Sequence, residues 1–71
     1  MNEYERFIRE CMKRTAVSGL SQYKLAEMMG VSQALVNKAL NGSCRLSKRA
    51  AIKMAECLGI DLGAFDIEVY R

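Results

Sequence analysis

Apolar side chains recur near the start of the chain at the spacing of an α-helix. They are Tyr4, Phe7, Ile8, Cys11 and Met12. Residues three and four positions apart share one face of a helix, so this pattern predicts an element with one buried side. Asn2 and Glu5 have the spacing of an approximate capping box, which marks the start of a helix. We predict a first helix over residues 3–15 that packs into a core.

Two shorter segments with one apolar face follow, and a glycine separates them. The second predicted helix covers Gln22–Met29 behind Ser21, a favourable N-cap. Gly30 then suits a left-handed backbone, and Ser32 can cap a third helix over Gln33–Leu40. Two short helices joined by a tight turn that contains glycine have the layout of a helix-turn-helix.

The second half of the chain carries two further helical segments. Ser47 can cap a fourth helix, which ends at Gly59. Its predicted buried stripe consists of Ala51, Met54, Ala55 and Leu58. Asp61 can cap a last short helix that ends near Phe65. We therefore predict an all-α fold of five short helices, with the helix-turn-helix at the second and third.

The length of 71 residues allows one domain and no more. We assign residues 1–65 to this domain and residues 66–71 to a C-terminal tail. The tail alternates polar and apolar residues, which is typical of a strand. A terminal segment this short is equally compatible with a frayed end.

The third predicted helix has two chemically different faces. At about 100° per residue, one side collects the apolar residues Val36, Ala39 and Leu40. The opposite side collects amides, one lysine and a small apolar residue, namely Gln33, Ala34, Asn37, Lys38 and Asn41. Such side chains suit the major groove of DNA, where glutamine can bond adenine, lysine can bond guanine and alanine can touch a thymine methyl group. A solvated polar face is the alternative interpretation.

Charge is distributed unevenly along the chain, which has a net charge of +3. Residues 42–53 carry four basic side chains and no acidic one, whereas residues 54–71 carry four acidic side chains and one basic one. A basic middle beside an acidic end suggests that one face meets an anion. Ordinary surface solubility would also account for charges of this kind.

Several chemistries have no support in the sequence. Histidine is absent and the three cysteines are widely spaced, so no zinc pattern is present. The sequence also contains no nucleophile motif and no phosphate-binding loop. We expect Cys11 and Cys57 to be buried and Cys44 to lie in an exposed loop. The chain shows no signal peptide, and no apolar run approaches the length of a membrane span. We predict a cytoplasmic protein that is not an enzyme and requires no metal, cofactor, small-molecule ligand or membrane.

An ordered set of short motifs extends across the two central helices and their caps. It consists of Gly19-Leu20-Ser21-Gln22, Leu25-Ala26, Gly30-Val31-Ser32-Gln33, Val36 and Leu40-Asn41-Gly42. This set resembles the Cro/cI-type (Xre-like) helix-turn-helix family, and in particular its phage Cro-like repressors. The match is close over residues 19–42 and extends loosely to residue 65. It implies a lambda-repressor-like, all-helical DNA-binding domain that binds an operator and usually forms dimers.

The resemblance also implies roles for four residues of the third helix. Gln33 matches the first recognition position, which typically reads adenine. Ala34 stands where relatives often carry serine or glutamine, so one polar base contact is expected to be missing. Asn37 and Lys38 match an asparagine–lysine pair whose lysine reads guanine, and Asn37 is expected at the base edges as well.

Further positions are expected to contact the DNA backbone. The resemblance implies that Gln22 bonds a phosphate and braces the next glutamine, and that Asn41 contacts a phosphate. Arg45 lies where relatives place basic residues that bind the backbone. Lys48 and Arg49 are added from the local excess of positive charge alone.

These features predict a sequence-specific regulator of transcription that binds double-stranded DNA inside a bacterial host. We favour a repressor that acts as a dimer on a palindromic operator, with a dimer that is weak without DNA. The C-terminal apolar groups exceed what the small core can obviously use, so the dimer contact is expected at Leu62, Phe65, Ile67 and Val69. Last helices that pack together are favoured over pairing of residues 66–70 as strands, and deletion of the tail is expected to weaken operator binding more than folding. A helix-turn-helix antitoxin or adaptor, whose main partner is another protein, is the alternative function.

Overall fold

The computed structural model describes residues 2–70, which form four α-helices and two short 3-10 turns. The helices are α1 (Glu3–Ser18), α2 (Gln22–Met29), α3 (Gln33–Leu40) and α4 (Lys48–Leu58). The turns cover Leu62–Ala64 and Glu68–Tyr70. The all-α prediction is confirmed, and no strand occurs between residues 2 and 70. Residues 1 and 71, the outer ends of the predicted domain and tail, lie outside the described residues.

Each of these α-helices starts at a polar side chain that accepts a hydrogen bond from a backbone amide one turn later. The four caps are Asn2, Ser21, Ser32 and Ser47, with distances of 2.8, 3.0, 3.1 and 3.2 Å. Such a cap stabilises a helix by about 1 kcal/mol. Between α2 and α3, Gly30 takes a left-handed φ of 72°, which glycine adopts without strain. The caps and this glycine place α2 and α3 where the sequence predicted them.

Two of the helical predictions are wrong, namely the end of the first helix and the type of the last short element. Helix α1 continues past residue 15 to Ser18, because the first residue that breaks it is Gly19, at a φ of 70°. The predicted fifth α-helix is only the 3-10 turn Leu62–Ala64. The Asp61 side chain does cap it, accepting from the Gly63 amide at 3.0 Å, but Phe65 is already extended. The tail forms a second 3-10 turn where a strand or a frayed end was expected.

One hydrophobic core joins the four helices. Helices α1 and α2 both pack against α3 and α4, so α3 is held from two sides and presents its remaining face outward. Cys11 is fully buried, as predicted, and desolvation raises the pKa of its thiol to about 12, which keeps the thiol neutral at physiological pH. Cys44 and Cys57 are both half-buried, and Met12, expected in the core, is half exposed.

Candidate nucleic-acid interface

The outer face of α3 is exposed as the helical periodicity predicted. Its inner face, made of Val36, Ala39 and Leu40, is buried. The five residues of the opposite face are all exposed: Gln33, Ala34, Asn37, Lys38 and Asn41. Since no part of residues 2–70 buries these positions, this strip of amides and one lysine is open to a ligand.

Three amide side chains form a hydrogen-bonded chain that joins α2 to α3. The Asn41 Nδ2 atom donates to Asn37 Oδ1 at 3.5 Å, and Asn37 Nδ2 donates to Gln22 Oε1 at 3.0 Å. The resemblance implied that Gln22 braces Gln33, but the partner of Gln22 in the structure is Asn37. Gln33 is the first residue of α3, whereas Asn37 lies one turn further along the same face.

The direction of this chain determines what Gln22 can offer to a ligand. Its Oε1 atom accepts from Asn37, so its Nε2 group remains as a hydrogen-bond donor. Phosphate oxygens at neutral pH are mainly hydrogen-bond acceptors, which makes a free amide donor the matching group. Asn37, with both ends of its amide engaged, acts in the free protein as a brace between the two helices.

The loop after α3 is attached to the end of that helix. The backbone amides of Ser43 and Cys44 both donate to the Lys38 carbonyl, at 2.9 and 3.2 Å. The Asn41 side chain also accepts from the Ser43 amide at 2.9 Å. The loop therefore follows the position of α3 and presents Arg45 beside it.

Arg45 is an exposed cation with a defined neighbour. Its guanidinium carbon lies 4.2 Å from the centre of the Tyr4 ring, a cation–π contact. Arg45 and Asn41 line the same groove, together with Arg9 of α1. The groove thus brings the Asn41 amide together with two guanidinium groups and one carboxylate, that of Glu5.

Within the described residues 2–70, most basic side chains lie outside any ion pair. The ion pairs within residues 2–70 are Arg6–Glu3, Arg14–Glu10 and Lys24–Glu27, at 2.8, 3.1 and 2.9 Å. The exposed cations that remain outside these pairs are Arg9, Lys13, Lys38, Arg45, Lys48, Arg49 and Lys53. Unpaired positive charge of this kind creates a potential that attracts a polyanion.

Lys48 and Arg49 lie apart from the Arg45 groove. They are exposed on the outer face of α4, where they line a shallow depression with Ile52, Lys53 and the acidic Glu56. The structure therefore unites Gln22, Asn37 and Asn41 by hydrogen bonds, and joins Arg45 to them through the groove. It does not bring Lys48 and Arg49 into the same group.

Three residues of this region were not predicted from the sequence to belong to the site. Tyr4 was assigned to the core, because helical spacing predicts only that its side chain lies on the buried face of the first helix. Arg9 was not singled out in the sequence, and Tyr70, whose hydroxyl donates to the Leu46 carbonyl beside Arg45, was placed only in the alternating tail. Their roles depend on contacts between segments far apart in the chain, for which one sequence holds no pattern.

The predicted dimer residues are largely used within the monomer. Ile67 is only 4% exposed and belongs to the core, which corrects the expectation that it is spare apolar surface. Phe65 packs edge-to-face against Phe7, with ring centres 5.6 Å apart, and Leu62 is half-buried against the same core. Val69 alone among the four is largely exposed, at 66%.

The described residues contain no cluster of histidine, cysteine or carboxylate groups that could hold a metal ion. None of the helices in this part of the chain is long and apolar enough to cross a membrane.

Comparison with known proteins gives one match. Searches among curated proteins and among solved structures found no similar protein. A helix-turn-helix family model, HTH_3, matches residues 12–65. This stretch contains α2, α3 and α4, the exposed strip of α3 and the loop that carries Arg45. The chain therefore belongs to the HTH_3 family of Cro/cI-type helix-turn-helix domains.

Proposed function

We propose that the protein is a sequence-specific DNA-binding repressor of transcription that acts inside a bacterial cell. The observation that carries this proposal is the exposed amide and lysine face of α3, within a domain of a family associated with DNA binding and typically without enzymatic activity. In this arrangement α3 enters the major groove. Gln33 and Lys38 reach base edges there, and Ala34 meets a thymine methyl group.

Phosphate contacts hold the helix in place on the duplex. Gln22 offers its free Nε2 donor from the start of α2, Asn41 lies at the end of α3, and Arg45 adds a charged contact from the loop. Lys48 and Arg49, on a separate face, extend the positive potential and meet the backbone only if the duplex reaches α4.

Repression is favoured over activation by the charge of α2. Activators of this type often offer acidic groups on the second helix. The only carboxylate of α2 is Glu27, and Lys24 pairs with it at 2.9 Å. The exposed side of α2 therefore presents little free negative charge, and the simplest mechanism is that the bound protein blocks polymerase at the promoter.

Selection of bound sequences from a random pool of duplex DNA tests this function directly. We expect enrichment of one short motif, repeated as an inverted pair if two protomers bind. Enrichment without any motif would leave only general affinity for DNA. Failure to retain DNA at all would favour the antitoxin or adaptor function, with a protein as the main partner.

The protein is expected to occupy its operator as a homodimer. One copy offers α3 to a single stretch of major groove, and two copies would place two α3 helices in successive grooves about 34 Å apart. The contact surface proposed for this dimer consists of Val69 and the exposed parts of the half-buried Leu62 and Phe65, and it no longer includes the buried Ile67. Sedimentation of the protein–operator complex should give two protomers per duplex. One protomer at saturation would exclude the dimer.

Replacing Arg45 with glutamine should weaken binding to all DNA sequences alike. A phosphate contact releases condensed counterions, so the slope of log affinity against log salt should become shallower by about 0.9. The measurement is a salt titration of operator and random duplexes for both proteins.

The matched control for this change is Arg14→Gln. It removes the same charge from α1, where Arg14 is paired with Glu10 and approaches the Gly59 carbonyl at 3.5 Å. We expect a nearly unchanged slope for this control. An unchanged slope for Arg45→Gln as well would show that Arg45 is an ordinary solvated charge.

A further inference from the structure

We propose that the C-terminal segment, residues 66–70, is a positioning element of the DNA-binding surface. Tyr70 acts through Leu46 to hold Arg45 in the orientation that meets a phosphate. This inference rests on the proposed function, because it requires Arg45 to contact DNA.

Two tyrosine hydroxyls hold the backbone of one loop residue. The Leu46 amide donates to the Tyr4 hydroxyl at 2.9 Å, and the Tyr70 hydroxyl donates to the Leu46 carbonyl. Leu46 is buried, so both of its peptide groups need a partner within the protein. The tyrosines come from opposite ends of the described chain, and together they satisfy both hydrogen-bonding groups of the Leu46 backbone.

The same two rings also constrain the side chain of the preceding residue. The guanidinium of Arg45 lies over the Tyr4 ring, and the Tyr70 ring packs edge-on against Tyr4 with centres 6.3 Å apart. Movement of Tyr70 would therefore release the Leu46 carbonyl and one side of the Tyr4 ring together. Arg45 would keep its charge but lose its fixed position.

The tail is itself packed against the rest of the domain, and this packing determines where the Tyr70 hydroxyl lies. Ile67 is inserted in the core, and the Asp66 amide donates to the Glu3 carboxylate at 3.4 Å. Burial is the largest cause of a raised pKa at the Tyr70 hydroxyl, the electrostatic interaction with Tyr4 adds to it, and Arg45 acts in the opposite direction. The hydroxyl therefore remains a proton donor well above neutral pH.

A double-mutant cycle separates positioning from general stability. The variants are Tyr70→Phe, which removes one hydroxyl, Arg45→Gln, and the combination of both. For each protein we would measure affinity for the selected operator and the free energy of unfolding. If Tyr70 acts through Arg45, Tyr70→Phe weakens binding by about two- to tenfold, the range of one hydrogen bond, when Arg45 is present. In the Arg45→Gln background it should have almost no effect on binding.

The unfolding measurement supplies the internal control of the cycle. A lost hydrogen bond should lower stability by the same amount whether or not Arg45 is present. An equal loss of binding in both backgrounds would show that Tyr70 merely stabilises the fold and would overturn the inference. No loss of binding in either background would overturn it too.

A second measurement needs no DNA. Nitrogen-15 relaxation of the Arg45 Nε–H group in the free protein should show greater motion in Tyr70→Phe. Tyr23→Phe is the matched control, because Tyr23 is 61% exposed on α2 and its hydroxyl makes no hydrogen bond within residues 2–70. Unchanged motion of Arg45 would overturn the inference even if the protein binds DNA. Failure of the unmodified protein to bind any duplex would instead overturn the proposed function, and this inference with it.

Discussion

Replacing Ile67 with alanine is expected to lower the free energy of unfolding by about 2–5 kcal/mol, the usual cost of such a truncation in a core. Ile67 is 4% exposed and packs with residues of the main core. A domain of this size has a total stability on the order of 5 kcal/mol, so the variant should keep no more than about 3 kcal/mol and unfold at a clearly lower temperature than the unmodified protein. Urea titration followed by circular dichroism at low protein concentration would measure the change.

Val69→Ala provides the comparison within the same tail. Val69 is largely exposed, so its truncation should change stability by no more than about 0.5 kcal/mol. Equal behaviour of the two variants would mean that the tail does not pack as described. The burial of Ile67 also reverses the expectation for deletion of residues 66–71, which should now damage folding at least as much as operator binding.

Lys38→Ala and Gln33→Ala are each expected to relax base preference at a separate position of the half-site. A bidentate contact to a base contributes about 1–3 kcal/mol of discrimination, or roughly five- to 150-fold between right and wrong bases. Both side chains are exposed on α3, and neither has a hydrogen-bonding partner among the side chains of residues 2–70. They are therefore free to bond base edges.

Competition binding against operators that carry single base-pair changes would locate each effect. Lys13→Ala is the control, since Lys13 is an exposed lysine on α1 without an acidic partner in the described part of the chain. It should leave the ranking of the operators unchanged. If the Lys38 and Gln33 variants also keep that ranking, the assignment of these residues as base readers is wrong.

Local signals in the sequence were sufficient for the central part of the fold. The bounds of α2 and α3 match the prediction because each helix begins after a serine cap, and Gly30 allows the turn between them. The short element after Asp61 was overestimated because a good cap does not make a helix. Gly63 favours no helix and Phe65 already has an extended backbone.

The candidate site was predictable only as far as helical periodicity reaches. The exposed face of α3 follows from the spacing of its residues. The bond between Asn37 and Gln22 joins positions 15 residues apart, and the Tyr4–Leu46 bond spans 42 residues. Such contacts depend on how whole helices pack, which neither spacing nor composition records. Ile67 was wrongly assigned to the dimer contact for the same reason. A hydrophobic residue near the end of a chain gives the same sequence pattern whether it packs in the core or contacts a second protomer.

The unpaired cations have an energetic consequence for the free domain. Lys38, Arg45, Lys48, Arg49 and Lys53 lie within one stretch of chain that contains no carboxylate. Where such charges lie close together in the folded domain, as on the outer face of α4, their mutual repulsion opposes folding and is relieved when an anion neutralises them. Part of the free energy of association with a polyanion would thus come from relief of this repulsion within the protein, in addition to the direct attraction between protein and phosphate. A sequence redesigned to pair these charges would be more stable to heat and would attract DNA less strongly.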